Sequence, residues 1–288
     1  MRDDYKITEL CDALDVSTSG YHAAARRAPS KRHQENQKLL DAMNSIHHHR
    51  HTRAYGSPRM TRELLNGGHA CSENRVARLM RACGLRASTR KPFRPRTTQP
   101  DHAAYPSPNL LPEAGPPTAP GQQLVSDITY IPTREGWLFL AVVIDLFSRA
   151  ILGWKLGPSL HAGLVTTALR RALDSGLVPF GAIFHSDRGC QYTAGVTRAL
   201  LARAGLRQSM SATGYCYDNA FAESAFASIK SELIENAAPF CSKAAASTAV
   251  FDYMETFYNR KRLHGALGFQ SPHAFLNNYF QNLNPSLN

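Results

Sequence analysis

Three acidic residues stand out by type and spacing. Asp127 lies in Val125-Ser126-Asp127-Ile128-Thr129-Tyr130-Ile131, Asp187 in Phe184-His185-Ser186-Asp187-Arg188-Gly189, and Glu223 in Asp218-Asn219-Ala220-Phe221-Ala222-Glu223-Ser224. Between the last two lie 35 residues. The aspartates interrupt or end strand-like runs, and the glutamate opens a helix-like run. A strand, a later strand and a helix can each aim one carboxylate at a common point. Three converging carboxylates suit a pair of hard divalent cations. Two such ions about 4 Å apart can serve an in-line phosphodiester displacement.

Singly, each residue also has an ordinary reading. Asp127 would share a strand face with Thr129; there it is either paired or bound to a cation, or it is an edge-strand residue in water. Asp187 is alternatively a turn aspartate. Glu223 is alternatively a first-turn carboxylate favoured by the helix dipole. Lys230 follows Glu223 by seven positions, about 20° around a helix, and Asn219 precedes it by four. A metal ligand and a phosphate contact could thus lie along one groove, or Lys230 is a plain surface lysine.

The elements that must position these groups divide the chain of 288 residues into two or three units. Residues 1–90 read as helical. Apolar residues at Ile7, Leu10, Cys11 and Leu14 form one helix face, and Thr18–Arg27 a second short helix, at helix-turn-helix spacing. A polar helix over 34–50 ends in His47-His48-His49-Arg50-His51, read as a solvated helix end rather than a metal site. Ser72 is an N-cap for a helix whose core face is Val76, Leu79, Met80 and Cys83. Arg75, Arg78 and Arg81 cluster away from that face, as DNA contacts or as an ordinary exposed surface.

Residues 91–120 read as a linker, with nine of the 17 prolines. Residues 121–280 read as α/β: strands over 124–132, 137–147, 150–156, 182–186 and 207–212, with helices over 164–173, 196–204, 219–235 and 243–262. Asp145, Ser148 and Arg149 form the turn between the second and third strands. The tail Phe257-Tyr258-Asn259-Arg260-Lys261-Arg262-Leu263-His264 is either a DNA-backbone grip or a helix end with cations suited to the dipole. Ser271-Pro272 reads as N-cap and first residue of a last helix.

Charge sharpens this division. The net formal charge is +11, from 33 Lys+Arg and 22 Asp+Glu. Residues 1–100 hold 19 basic against 9 acidic residues, and the remainder 14 against 13. A basic front on a nearly neutral back suggests a nucleic-acid-binding module joined to something else. The six cysteines show no zinc or disulfide spacing and are expected to be reduced, mostly buried thiols. The charged start Met1-Arg2-Asp3-Asp4 lacks a signal-peptide stretch, and no apolar run of about 18 residues occurs. No membrane span and a cytoplasmic protein are therefore expected.

Taken together, these residues resemble the OrfB-type transposases of bacterial insertion sequences, in the retroviral-integrase superfamily of D,D-35-E enzymes. The resemblance is carried by Asp127-Ile128-Thr129-Tyr130-Ile131, Asp145-Leu146-Phe147-Ser148-Arg149, His185-Ser186-Asp187-Arg188-Gly189 with Gln191-Tyr192, and Asp218-Asn219-Ala220 with Glu223-Ser224 and Lys230. Tyr258-Asn259, Arg262, His264, Leu267-Gly268 and Ser271-Pro272 extend it, as do Tyr55-Gly56, Arg59, Val76, Arg78-Leu79-Met80 and Gly84-Leu85 in the front module. Two places depart from the pattern: Leu124 where an aromatic residue is usual, and Pro112-Glu113-Ala114-Gly115-Pro116 where basic and aromatic residues are usual.

The resemblance implies an RNase H-like mixed five-stranded sheet core, behind an all-α, helix-turn-helix-like DNA-binding module. It implies two Mg²⁺ ions, with Mn²⁺ as a substitute, on Asp127, Asp187 and Glu223. Water would cut a phosphodiester at the element end, and the freed 3′-OH would attack a second one. DNA contacts are expected from Lys230, Asn219, Arg75, Arg78, Arg81, Arg260, Lys261 and Arg262. Expected partners are the element ends, target DNA, further copies of the chain and an upstream protein fused by frameshift, in the bacterial nucleoid. The competing readings are a non-catalytic DNA-binding relic or regulator, and a nuclease of the same fold.

Overall fold

The computed structural model describes residues 5–87, 107–211, 220–233 and 239–283. Five helices come first: α1 (Ile7–Ala13), α2 (Thr18–Arg26), α3 (Lys31–His48), α4 (Ser57–Asn66) and α5 (Glu73–Ala82). Serine side chains cap three of them, Ser17 on α2, Ser30 on α3 and Ser72 on α5, each taking a backbone N–H of the first turn. Helices α3–α5 share a core of Leu39, Met43, Met60, Leu64, Val76, Leu79 and Met80. The α1–α2 pair, where helix-turn-helix spacing was expected, buries only Cys11 among its described residues.

The second part is a five-stranded sheet: β1 (Gln123–Thr133), β2 (Gly136–Asp145), β3 (Ile151–Gly157), β4 (Ile183–Ser186) and β5 (Arg207–Met210), in the order β3-β2-β1-β4-β5. The first three strands run antiparallel, while β4 joins β1 and β5 joins β4 in parallel. A two-residue hairpin joins β1 to β2, with Thr133 opposite Gly136. The Thr133 hydroxyl donates to the Gly136 carbonyl at 2.6 Å. From Leu140 to Asp145, β2 is buried on both faces, which explains its unbroken apolar run.

One face packs α7 (Ala162–Asp174) and α9 (Gly195–Arg203) over Leu124, Ala141, Val143 and Phe184. Gly153 of β3 permits this closeness, because a Cβ there would fall 2.1 Å from the Ala168 carbonyl oxygen of α7. The other face packs α10 (Ala220–Leu233) and α11 (Lys243–Asp252) over Val125, Ile131, Leu140 and Val142. A short helix, α8 (Cys190–Thr193), follows β4, and α12 (Pro272–Leu283) closes the chain, with the Ser271 hydroxyl accepting from Ala274 N–H at its start.

Several expectations need correction. The helix read over 243–262 ends at Asp252 and continues as a π-helix, Tyr253–Tyr258, whose wider turn lets Tyr253, Met254, Phe257 and Tyr258 all be buried. Within the span read as linker, another short helix, α6 (Leu111–Ala114), packs Leu111 on the sheet core, and Met210 N–H donates to the Pro108 carbonyl. Of the described cysteines only Cys11 is buried, while Cys83, Cys190 and Cys241 are exposed. No helix among the described residues is long and apolar enough to cross a membrane.

Candidate active site

The parallel pairing of β1 with β4 sets the site. Val125 stands opposite His185. Two residues further along each chain come Asp127, still on β1, and Asp187, just past the end of β4. Alternation along β1 puts Asp127 on the face of Val125 and Ile131, the face covered by α10. Asp127 Oδ1 accepts from Ile128 N–H at 2.8 Å, and Asp187 Oδ1 accepts from Gly189 N–H at 3.0 Å. Gly189 has a steric reason, since a Cβ there would lie 3.0 Å from that same Asp187 oxygen.

Tyr192 reports that the two carboxylates share one neighbourhood. Its ring is buried, and its hydroxyl lies 3.1 Å from Ser126 Oγ. Burial first, then the negative charges of Asp127 and Asp187, hold its phenol well above the usual range. It stays a neutral hydroxyl beneath two acidic groups. Behind Asp187, the fully buried His185 ring meets Ser209 Oγ at 2.8 Å and Ser211 Oγ at 3.2 Å, tying β4 to β5. Arg188 Nε donates to the Ser211 carbonyl at 2.8 Å. The loop that carries Asp187 is thus fixed on both sides.

The third expected carboxylate, Glu223, lies on α10, one turn before Phe226; its side chain and that of Lys230 fall outside the described residues, as does Asn219 altogether. Phe226, Ile229 and Leu233 seat α10 on the Asp127 face of the sheet. Among the described residues, no group of three His, Cys, Asp or Glu stands close enough to hold a metal. Asp127 and Asp187 nevertheless supply oxygen donors of the chemical kind that hard divalent cations take.

The expected DNA contacts separate into three kinds. Arg78 and Arg81 on α5, and Arg260 and Lys261 after the π-helix, are exposed. Arg75 turns back to α3, donating to Asn36 Oδ1 at 2.9 Å and Glu35 Oε2 at 3.1 Å. Arg262 overturns its expectation: it is 2% exposed and forms a two-pronged pair with Glu232, Nε to Oε2 at 2.7 Å and Nη2 to Oε1 at 2.6 Å. A guanidinium so enclosed cannot reach a phosphate. In the histidine run His48, His49 and Arg50 are exposed, as a solvated helix end would be, whereas His51 is buried, stacks on Phe257 and meets Asp252 Oδ2 at 2.7 Å.

Sequence reasoning missed Glu232 and the structural use of Asn259, and it read Asp145 as part of the turn between β2 and β3 without the bonds that build it. Asp145 is buried and accepts from the Gly121, Phe147 and Ser148 amides and the Ser148 hydroxyl, holding the turn into β3. Asn259 bonds the backbone of Ile151 at the start of β3. Their polarity amid apolar neighbours was the available signal.

The sheet order, with helices on both faces, defines an RNase H-like core. Residues 117–216 and 204–272 match two family models described as integrase core domain, and residues 34–93 match one described as HTH-like domain. The chain is 40% identical over 275 residues to the transposase InsF for insertion sequence IS3A of Escherichia coli, with 95% of each protein covered. It is 38% identical over 272 residues to the insertion element IS600 uncharacterized 31 kDa protein of Shigella sonnei, covering 94% of this chain and 99% of that one. Among solved structures it is similar to the catalytic core domain of BIV integrase (TM-score 0.39, 17% identity, 57% of this chain and 99% of that one). It is also similar to the HTLV-2 integrase catalytic core domain in complex with magnesium (TM-score 0.42, 13% identity, 55% and 97%). The chain belongs to the insertion-sequence transposases with an integrase core and a helix-turn-helix-like front domain.

Proposed function

We propose that this transposase cuts phosphodiesters at the ends of its element and joins the freed 3′-OH to target DNA. The observation that supports the reading is that Asp127 and Asp187, each two residues beyond the last β1–β4 pair, both act electrostatically on the buried Tyr192. Glu223 on α10 is the third carboxylate of the proposal. Magnesium ions, with manganese as a substitute, would be held by these three residues and supply charge neutralisation at the phosphate and a more acidic water.

In the first step a water oxygen attacks phosphorus, the bond from phosphorus to the 3′ oxygen breaks, and that oxygen takes up a proton. In the second step the 3′-hydroxyl loses its proton and attacks a target phosphorus, displacing the target's own 3′ oxygen. The chain's part is to hold its acidic groups still. Gly189 N–H orients Asp187, and Tyr192 and Ser126 support the strand ends from below. Arg78, Arg81, Arg260, Lys261, Lys230 and Asn219 are proposed to contact DNA, with the helical front binding the element ends. Further copies of the chain, and a fused upstream protein, complete the proposed assembly in the bacterial cytoplasm.

The test is a cleavage and strand-joining assay with magnesium on DNA carrying the flanking element ends. Wild type, Asp127→Asn, Asp187→Asn and Glu223→Gln are run in parallel. The proposal expects joined product from the wild type alone, with end binding kept by all four. Binding without cleavage by the wild type together with an upstream partner would refute it.

A further inference from the structure

Glu232 is enclosed by three parts of the chain. Arg262, from the segment after the π-helix, grips both its oxygens. Tyr253 of the π-helix donates its hydroxyl to Oε2 at 2.8 Å. Arg59 of α4, in the helical front, reaches Oε1 at 3.4 Å. The partners are themselves fixed: Arg59 lies over the Tyr55 ring, Arg262 lies over the Tyr258 ring, and the Tyr55 hydroxyl accepts from Leu263 N–H at 3.2 Å. Isolated carboxylates are costly inside a protein, and a fully bonded one fixes a unique geometry.

The place of this cluster on α10 matters. Phe226, Ile229 and Leu233 form the stripe that seats the helix on the sheet. Burial of such a stripe is non-directional and tolerates rolling. At 100° per residue, position 232 borders the stripe on one side and position 223 borders it on the other. A two-pronged guanidinium–carboxylate pair is directional and resists roll. A roll of about 10°, at a helix radius of about 5–6 Å, moves a carboxylate by about 1 Å. Misplacement on that scale costs roughly 100-fold in rate.

We propose that Glu232 is a positioning residue for strand cleavage: held by Arg262 and Arg59, it sets the roll of α10 and hence the aim of Glu223. Because Arg59 belongs to the helical front, the part that binds DNA and the helix that bears the third carboxylate are joined at one group. This role presupposes the three-carboxylate reading.

The experiment uses the full chain with Arg262→Lys, which keeps the charge but loses the fork, and Arg59→Gln, which removes a half-buried cation. Three quantities are measured: the dissociation constant for element ends, the single-turnover cleavage rate of the bound complex, and the unfolding midpoint. Both variants should slow cleavage roughly 10- to 100-fold while end affinity changes less than about twofold. The rate should stay low after trimethylamine N-oxide restores the midpoint. Recovery of rate along with the midpoint, or a wild-type rate in both variants, overturns the role. If Arg262→Lys does not fold, Arg59→Gln decides alone. Glu223→Gln runs beside them, and wild-type cleavage by that variant would refute the three-carboxylate reading instead.

Discussion

Asn259 treats Ile151 as a neighbouring strand would. Its side-chain oxygen accepts from Ile151 N–H at 2.9 Å and its amide nitrogen donates to the Ile151 carbonyl at 2.8 Å. Edge strand β3 thereby gains a partner at its first residue, and the segment after the π-helix is pinned to the sheet. Replacing Asn259 with Asp keeps one acceptor but sets an oxygen against the Ile151 carbonyl. A loss of about 2–3 kcal/mol is expected in urea unfolding. A change below about 0.5 kcal/mol would show that water replaces both bonds freely.

Gly189→Ala should leave folding intact and impair cleavage. The backbone at Gly189 is in an ordinary region, φ −59°, so the strain is local. The new Cβ would press on Asp187 Oδ1 from 3.0 Å. A 10- to 100-fold slower single-turnover rate is expected, on the order of a small displacement of a reacting group. End binding, measured by gel shift, should hold. An unaltered rate would mean that the Asp187 side chain moves aside without consequence.

Acid should weaken the fold through His264. Burial, and next the charge of Arg262, push this imidazole down to about 2. The folded chain keeps it neutral, whereas the unfolded chain protonates it below about 6.5. The unfolded state then binds the extra proton, so stability falls as pH drops from 6.5 towards 2. The slope from this one group approaches about 1.4 kcal/mol per pH unit. His264→Gln should flatten unfolding free energy against pH between 6 and 4 by nearly one proton; parallel curves would contradict this assignment.

Tyr55→Ala should destabilise the sheet core although it lies in the helical front. Tyr55 is fully buried in the same cluster as Ile131, Phe257 and Leu263. Losing a large buried aromatic side chain costs about 3–5 kcal/mol. Fluorescence from Trp137 and Trp154, both on the sheet, should report the earlier unfolding. An unchanged midpoint at those tryptophans would separate the two parts energetically.

Strands β1 to β3 were legible because they are long and largely apolar, whereas the four-residue β4 and β5 were legible mainly from their place between helices. The unbroken run in β2 and the interrupting aspartate in β1 both survive as observed features. The expectation that Asp127 and Asp187 work together came from motif and element type combined. Glu232 and Arg262 were not, because two opposite charges 30 residues apart carry no periodic signal. Arg262 in particular follows two exposed basic residues, Arg260 and Lys261, so its burial depends on tertiary packing alone. The π-helix was hidden for a related reason: its apolar spacing blends with an ordinary helix, and only simultaneous burial of four bulky residues distinguishes it. The docking of residues 108–111 was masked by proline content, which reports backbone stiffness and says nothing about what the stiff segment lies against.

Tyr55 also constrains how such a protein can diversify. A change of volume on either side of this seam would leave the core hollow or overfilled unless the other side changed with it. The outward side of α5, where Arg78 and Arg81 are exposed, is free of that constraint. The helical front and the sheet core are therefore obliged to change together at this seam.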